Sequence, residues 1–223
     1  MIDSDTLASR GHVVVPGLIG RAKCHALADL WPEKPRFRSH VVMQRHGYGQ
    51  GEYQYFAYPL PEHVEALRQA LYPELAAVAN RWNEQLGVPQ RFPLTLEGWL
   101  RQCHAGGQKR PTPLLLRYGP GDYNCLHRDL YGELVFPLQA AVLLSDPARD
   151  FSGGEFMLVE QRPRMQSRGE VVPLKQGDAV IFAVNQRPVQ GTRGFHRTAM
   201  RHGVSSLRHG ERFTLGIIFH DAA

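Results

Sequence analysis

The sequence predicts a mainly β fold of the α+β class, in which N-terminal helices pack on a β-sandwich or jelly-roll core. From Leu114 onward, short apolar runs alternate with turns: LLLRY, LVFPLQAAVLL, EFMLV, EVVPL, DAVIFAV and FTLGIIF. Six or more short strands without intervening helices favour a sandwich or jelly roll over a doubly wound parallel sheet. The second observation is that apolar residues recur at helical spacing within the first 110 residues.

The N-terminal part contains a strand and two helices by its residue pattern. The β-branched run HVVVPGLI, residues 12–19, predicts a strand that leads into a helix over ALADLW. A longer helix is predicted between Pro61 and Leu86, because apolar residues recur there every three or four positions and Gly87 follows. Its apolar stripe is expected in the core and comprises Val64, Leu67, Leu71, Leu75, Val78 and Trp82.

Composition indicates one compact domain spanning residues 1–223, since 43% of the 223 residues are hydrophobic and 21% are charged. We expect residues 1–110 to form a helical buttress with outer strands, and residues 111–223 to form the jelly-roll core. The three cysteines form no C-x-x-C pair, which favours a reduced setting. Without a signal-like N-terminus or a long apolar run, we expect a cytoplasmic protein with no membrane segment.

The tripeptide His127-Arg128-Asp129 is a candidate metal motif. Alternate residues of a strand point to the same side, so both outer residues could reach one metal. Two histidines and one carboxylate on one face of Fe(II) leave three positions open for a co-substrate and O₂. With eleven histidines in the chain, the tripeptide alone is weak evidence. A distal His202, followed ten residues later by Arg212 on an apolar strand, completes the pattern.

The order of these motifs resembles a known superfamily. H-x-D, then GGEF, then GDAVIF, then a distal His and an Arg resemble the iron(II)- and 2-oxoglutarate-dependent oxygenases, prolyl hydroxylases included. That resemblance implies a double-stranded β-helix, the jelly roll of those enzymes. Longer stretches resemble a bacterial family described as oxidatively demethylating damaged DNA: LHRDLYGELVFPLQ, DFSGGEF, EQRPRMQSR, RPVQGTRG and GIIFHDA.

The resemblance implies roles for individual residues. His127, Asp129 and His202 correspond to the catalytic ligands of Fe(II), and Arg212 to the partner of the far carboxylate of 2-oxoglutarate, with O₂ as oxidant. A planar guanidinium suits this role because it binds a carboxylate through two parallel hydrogen bonds. Tyr118, nine residues before His127, corresponds to a co-substrate contact on the strand expected to neighbour the metal strand. A buried tyrosine with an internal hydrogen bond is the alternative.

Other residues compete for these roles. His196 is a rival third ligand, although it precedes Arg212 by sixteen residues rather than ten. Cys125 would share a face with His127 in a regular strand, but a core cysteine is the commoner outcome. His209 is expected in a solvated turn, and His220 with Asp221 in a terminal tail.

Arginines concentrate in the loops RPRMQSR and RPVQGTRGFHR, and the net charge is +5. This basic rim is expected to contact the phosphates of alkylated DNA, or else to be a solvated surface. It comprises Arg162, Arg164, Arg168, Arg193 and Arg197, with Arg187 and Arg201 close in sequence. Aromatic residues at positions 48, 53, 55 and 56 could stack on a flipped base or pack in a sheet.

Three functions are compatible with these observations. The first is removal of an alkyl group from DNA by Fe(II)- and 2-oxoglutarate-dependent oxidation. The second is hydroxylation of a protein residue or small molecule by the same iron chemistry. The third is a non-catalytic, cupin-like binding module with structural His and Asp residues.

Overall fold

Strands make up most of the ordered elements in the computed structural model, which describes residues 2–130 and 132–223. The α-helices are α1 (Ser4–Arg10), α2 (Arg21–Ala28), α3 (Glu62–Gln85) and α4 (Leu96–Ala105). The strands are β1 (His12–Val15), β2 (Phe37–Val42), β3 (Gly49–Gln50), β4 (Glu52–Phe56), β5 (Leu114–Tyr118), β6 (Tyr123–His127), β7 (Leu138–Leu143), β8 (Phe151–Gly153), β9 (Phe156–Gln161), β10 (Arg168–Val172), β11 (Ala179–Ala183), β12 (Gln186–Gly191), β13 (Gly194–Val204), β14 (Leu207–Gly210) and β15 (Arg212–Ile218). None of the described helices is long and apolar enough to cross a membrane.

Two antiparallel sheets form the jelly-roll core. The larger sheet has the order β1-β11-β7-β15-β5-β4-β2, and the smaller has β10-β9-β13-β6-β3, with β12 added to β13. The six segments predicted as strands from Leu114 onward are confirmed as β5, β7, β9, β10, β11 and β15. The motif LHRDLYGELVFPLQ includes Tyr131, which lies outside the described residues.

Helix α3 covers the outer face of the larger sheet, as its apolar stripe predicts. Leu75 and Trp82 of this helix share one core cluster with Leu215 and Ile217 of β15. Alternation along β15 then turns Thr214, Gly216 and Ile218 toward the smaller sheet. Burial of a side chain such as Leu75 contributes about 1.5–3 kcal/mol, so this layer supplies much of the stability of the fold. The helices therefore leave the space between the sheets free for a site.

One N-terminal prediction needs correction, and one N-terminal helix was not predicted. The helix predicted over ALADLW is α2, which begins earlier, at Arg21, and ends at Ala28. Pro32 follows closely, and its ring disfavours continuation of the helix toward Trp31. Helix α1 has no counterpart in the prediction, although Asp3 caps it by accepting a hydrogen bond from the Thr6 backbone at 2.9 Å.

The C-terminal segment is buried, contrary to the predicted tail. His220 and Asp221 are both fully inaccessible to solvent. Arg68 of α3 donates to Asp221 Oδ1 at 2.8 Å, while the Tyr58 hydroxyl and His104 Nε2 each lie 2.8 Å from Oδ2. The Arg68 Nε also donates to the Ile218 carbonyl at 2.9 Å. This network fastens the chain end beneath α3, because each buried charge has its partner within the protein.

Candidate functional site

Strands β6 and β13 place two histidines side by side in the smaller sheet. His202 and His127 are direct cross-strand partners, and their ring centroids lie 4.2 Å apart. Two residues further along β13, Val204 pairs with Asn124, so β6 uses three residues where β13 uses two. This extra residue is a β-bulge. Gly203 permits the close approach, because a Cβ there would lie 2.7 Å from the Asn124 carbonyl oxygen.

Asp129 joins the histidines from the loop after β6, not from the strand as the H-x-D alternation predicts. Its Oδ1 lies 3.2 Å from His127 Nε2, and its Oδ2 lies 3.3 Å from His202 Nε2. Ligand atoms of the three residues all lie within 4.8 Å of one another. Ligands on adjacent octahedral positions, each about 2.1 Å from a metal, are separated by about 3 Å. These three side chains therefore fit one divalent cation.

Neighbouring groups orient both rings. His127 Nδ1 donates to the Cys125 carbonyl at 2.8 Å, which orients the ring so that Nε2 faces Asp129. His202 lies between two aromatic rings, with centroid distances of 4.6 Å to Phe182 and 6.2 Å to Phe156. Both imidazoles are thus held in place before any ligand binds.

Electrostatics keeps the Asp129 carboxylate ionised. Burial alone would raise the pKa of Asp129, but hydrogen bonds and charge from the two histidines hold that pKa well below its usual range. Burial opposes the charged form of His127, yet Asp129 outweighs it and raises the His127 pKa. At His202, burial dominates and lowers the pKa. An ionised carboxylate beside a neutral imidazole is a suitable donor set for a cation.

Arg212 lies at the start of β15, after the intervening strand β14. Its side chain is buried, and one terminal nitrogen donates to Thr214 Oγ1 at 2.6 Å. Within residues 2–130 and 132–223, Arg212 Nε has no hydrogen-bond partner and no carboxylate forms an ion pair with the guanidinium. Because an unpaired buried charge is costly, this arrangement fits the far carboxylate of a dicarboxylate ligand.

Tyr118 is the cross-strand partner of Arg212, and its ring centroid lies 5.6 Å from the guanidinium carbon. The prediction that its strand neighbours the metal strand is wrong, because β5 pairs with β15 and β4 in the other sheet. Burial raises the Tyr118 pKa to about 12, although the neighbouring Arg212 and Asn124 act in the opposite direction. The phenol is therefore protonated at neutral pH and can donate to an anion beside Arg212.

One cavity of about 400 Å³ connects the two groups of residues. This volume lies within the usual range for small-molecule sites. Besides the five residues described, apolar and aromatic side chains line most of it, including Tyr48, Tyr53, Leu114, Leu116, Leu130, Phe156, Phe182 and Val204. Tyr55 and Phe56, two of the four aromatics considered for base stacking, are instead buried in core clusters.

Several candidates lie elsewhere. Cys125 is exposed, because the bulge in β6 breaks the alternation that would align it with His127. His196 is six residues from His202 on β13, or about 20 Å at the usual strand rise. His209 is exposed on β14. Arg187 is not on the rim, since it is buried against Glu160.

Sequence reasoning did not identify Gln139, Thr214 or Asn124, which also line the cavity. Gln139 had a visible signal, because it is the one polar residue in the run LQAAVLL. Thr214 had a weaker signal in the sequence, because it lies two residues beyond Arg212 and therefore on the same strand face. Asn124 had no signal in the sequence, since the direction of its side chain depends on the bulge.

A family model described as an oxygenase catalysing oxidative methylation of damaged DNA matches residues 51–222. The chain belongs to this oxygenase family. Two uncharacterised proteins of Mycobacterium tuberculosis, from strains CDC 1551 and H37Rv, are 53% identical to it over 168 residues, which cover 75% of this chain and 72% of each relative.

Solved structures share the fold of this oxygenase at low identity. A prolyl-4-hydroxylase of Pseudomonas putida superposes with a TM-score of 0.58 at 15% identity, covering 99% of this chain and 97% of the other. A 2-oxoglutarate-Fe(II) oxygenase family member of Burkholderia pseudomallei gives 0.53 at 17%, covering 99% and 91%. A Trichoplax adhaerens prolyl hydroxylase gives 0.56 at 12%, covering 96% and 86%. The family model identifies the chain as an oxygenase, and its fold is the one that these 2-oxoglutarate/Fe(II) enzymes share.

Proposed function

We propose that this oxygenase removes methyl groups from damaged DNA bases, with His127, Asp129 and His202 as the iron ligands. The observation that carries the proposal is that one cavity holds both the His-Asp-His group and a buried arginine for which the described residues supply no acidic partner. The family description adds damaged DNA as the substrate class. Demethylation follows from oxygenase chemistry, because hydroxylation of a carbon attached to nitrogen gives a product that loses formaldehyde.

The residues of the chain have distinct tasks in this proposal. When bound, iron(II) and 2-oxoglutarate supply the oxidation of a C–H bond by O₂, with succinate and CO₂ as the other products. Arg212 binds the far carboxylate through its free donors, and Tyr118 donates a hydrogen bond beside it. Phe156 and Phe182 fix the His202 ring and keep water from that side of the site.

The test is turnover on oligonucleotides that carry one N-methylated base. With iron(II), 2-oxoglutarate and O₂, formaldehyde and succinate should form in equal amounts. Asp129→Ala and His202→Ala should abolish both products, because each removes a ligand, while His209→Ala, an exposed histidine, should retain them. Succinate formation stimulated only by a peptide or metabolite would instead favour the hydroxylase function. Failure to bind iron(II) would favour a non-catalytic module.

Exposed arginines of the basic rim are proposed to contact DNA phosphates. Arg164 and Arg168 lie in or beside the β9–β10 turn, and Arg193 and Arg197 lie in the β12–β13 hairpin, all exposed to solvent. Arg162 donates to Glu160 at 2.7 Å and is thus less available.

Salt dependence tests these contacts, because each phosphate contact releases condensed counterions. Arg164→Ala combined with Arg197→Ala should flatten the log–log dependence of DNA affinity on salt by up to about two units. Arg101→Ala removes an exposed arginine of α4 that pairs with Glu97, and it should leave the slope unchanged. An affinity that does not depend on salt would contradict the contacts.

A further inference from the structure

Gln139 directs a buried amide into the cavity beside the metal group. On β7 it is in register with Phe182 of β11 and with Ile218 of β15. Cross-strand partners share a face of the sheet, and the Phe182 ring contacts His202 on that face. Gln139 is 4% exposed, lines the cavity, and its Nε2 has no acceptor among the residues that the structure describes.

An unsatisfied amide at this position opposes folding. A buried polar group without a hydrogen bond destabilises the fold by about 1–3 kcal/mol, whereas an apolar side chain of the same length carries no such desolvation penalty. Gln54 shows the ordinary solution, since its buried amide donates to the Trp31 carbonyl at 3.0 Å. The other side chains of β7 are all apolar, as packing alone requires. The Gln139 amide therefore indicates a ligand that supplies the missing partner.

The position of Gln139 separates it from the co-substrate. Arg212 and Ile218 lie at opposite ends of β15, and six residues of strand span about 20 Å. 2-Oxoglutarate has a five-carbon chain about 7 Å long at ordinary bond lengths, so a molecule anchored at Arg212 ends at the metal group. What reaches Gln139 is therefore the primary substrate on the other side of the metal group.

We propose that Gln139 is a specificity-determining residue that hydrogen-bonds to the polar edge of the target base. This inference rests on the proposed function. A terminal amide offers both a donor and an acceptor, which match the paired donors and acceptors on the edge of a nucleobase. The apolar ring of Phe182 is the cross-strand neighbour of Gln139, and Leu114 also lines the cavity, so the amide is the group that distinguishes one base from another.

The experiment compares Gln139→Met with Gln54→Met on a set of oligonucleotides, each with a different N-methylated base. Gln139→Met should raise the KM for the preferred base about tenfold and reduce the discrimination between bases, since a buried hydrogen bond is lost. The KM for 2-oxoglutarate should change by less than about twofold, given the distance from Arg212. The melting temperature should stay the same or rise, because an unsatisfied amide disappears.

Gln54→Met gives the opposite pattern, with a lower melting temperature and unchanged KM values. An unchanged DNA KM in Gln139→Met, or a melting temperature that falls as in the control, overturns the inference and leaves the proposed function standing. If the wild-type protein demethylates no methylated DNA, both fail together. Gln139→Asn serves as a second variant, because it keeps the amide on a side chain that is one methylene shorter. It should raise the DNA KM by a smaller factor than Gln139→Met does.

Discussion

Arg68 and Arg212 are both buried, yet they have opposite surroundings. Arg68 is bound to Asp221 at 2.8 Å and to the Ile218 carbonyl at 2.9 Å. Arg212 has Thr214 as its hydrogen-bond acceptor and lies near the rings of Tyr118 and Phe151. The chain provides a carboxylate for the first guanidinium, and we expect a ligand to provide it for the second. A buried charge thus indicates a structural role when its counter-charge lies within the protein, and a ligand-binding role when the counter-charge must come from outside.

The largest effect on stability is expected at Arg68. Asp221→Ala leaves this guanidinium buried without a counter-charge, which should cost about 3–5 kcal/mol in the free energy of unfolding. Urea denaturation measures the change. Asp146→Ala breaks the surface pair with Arg149 and should cost less than about 1 kcal/mol. Similar losses in the two variants would show that the internal pair is unimportant.

The largest effect on co-substrate use is expected at Arg212. Arg212→Met should raise the KM for 2-oxoglutarate about a hundredfold, because a buried ion pair with the ligand is worth roughly 2–5 kcal/mol. The free energy of unfolding without ligand should stay level or increase, since an uncompensated charge disappears. Arg212→Lys keeps the charge but loses the paired hydrogen bonds, so it should impair 2-oxoglutarate binding more than metal binding. If Arg212→Met lost as much stability as Asp221→Ala, the contrast between Arg212 and Arg68 would be wrong.

Ligand binding should separate the two arginines directly. At a concentration of 2-oxoglutarate about a hundred times its Kd, the wild-type protein loaded with a divalent metal should gain about 2.7 kcal/mol of stability. Asp221→Asn should retain this gain although it starts from a lower stability. Arg212→Met should gain only about 0.4 kcal/mol, because this concentration equals a Kd raised about a hundredfold, and thermal unfolding with and without ligand measures the difference.

The smallest effect is expected from Thr214→Val. The hydroxyl accepts a hydrogen bond from Arg212 at 2.6 Å and holds the guanidinium in position. Losing a bond of this kind costs about 1 kcal/mol, which corresponds to roughly a fivefold higher KM for 2-oxoglutarate. Ser at the same position should restore most of the affinity. If Val and Ser behave alike, the hydroxyl does not position Arg212.

Prediction from sequence succeeded where side-chain pattern and structure coincide. The strands of the larger sheet from β5 onward, and helix α3, have continuous or periodic apolar residues and were predicted. Strand β13 was not, because charged residues such as Arg197 and Arg201 interrupt its pattern on the outer face. The pairing of Arg68 with Asp221 joins residues 153 positions apart and has no local signal. The inward direction of Gln139 likewise depends on sheet register.

The bulge in β6 also bears on oxidative damage. In a regular strand Cys125 would face the same side as His127, and a thiol beside a centre that activates O₂ is readily converted to sulfenic and higher acids. The extra residue turns this sulfur outward, while Cys24 and Cys103 lie buried in the main core cluster. The bulge thus keeps the Cys125 thiol away from the reaction, so a cysteine can stand two residues before a metal ligand.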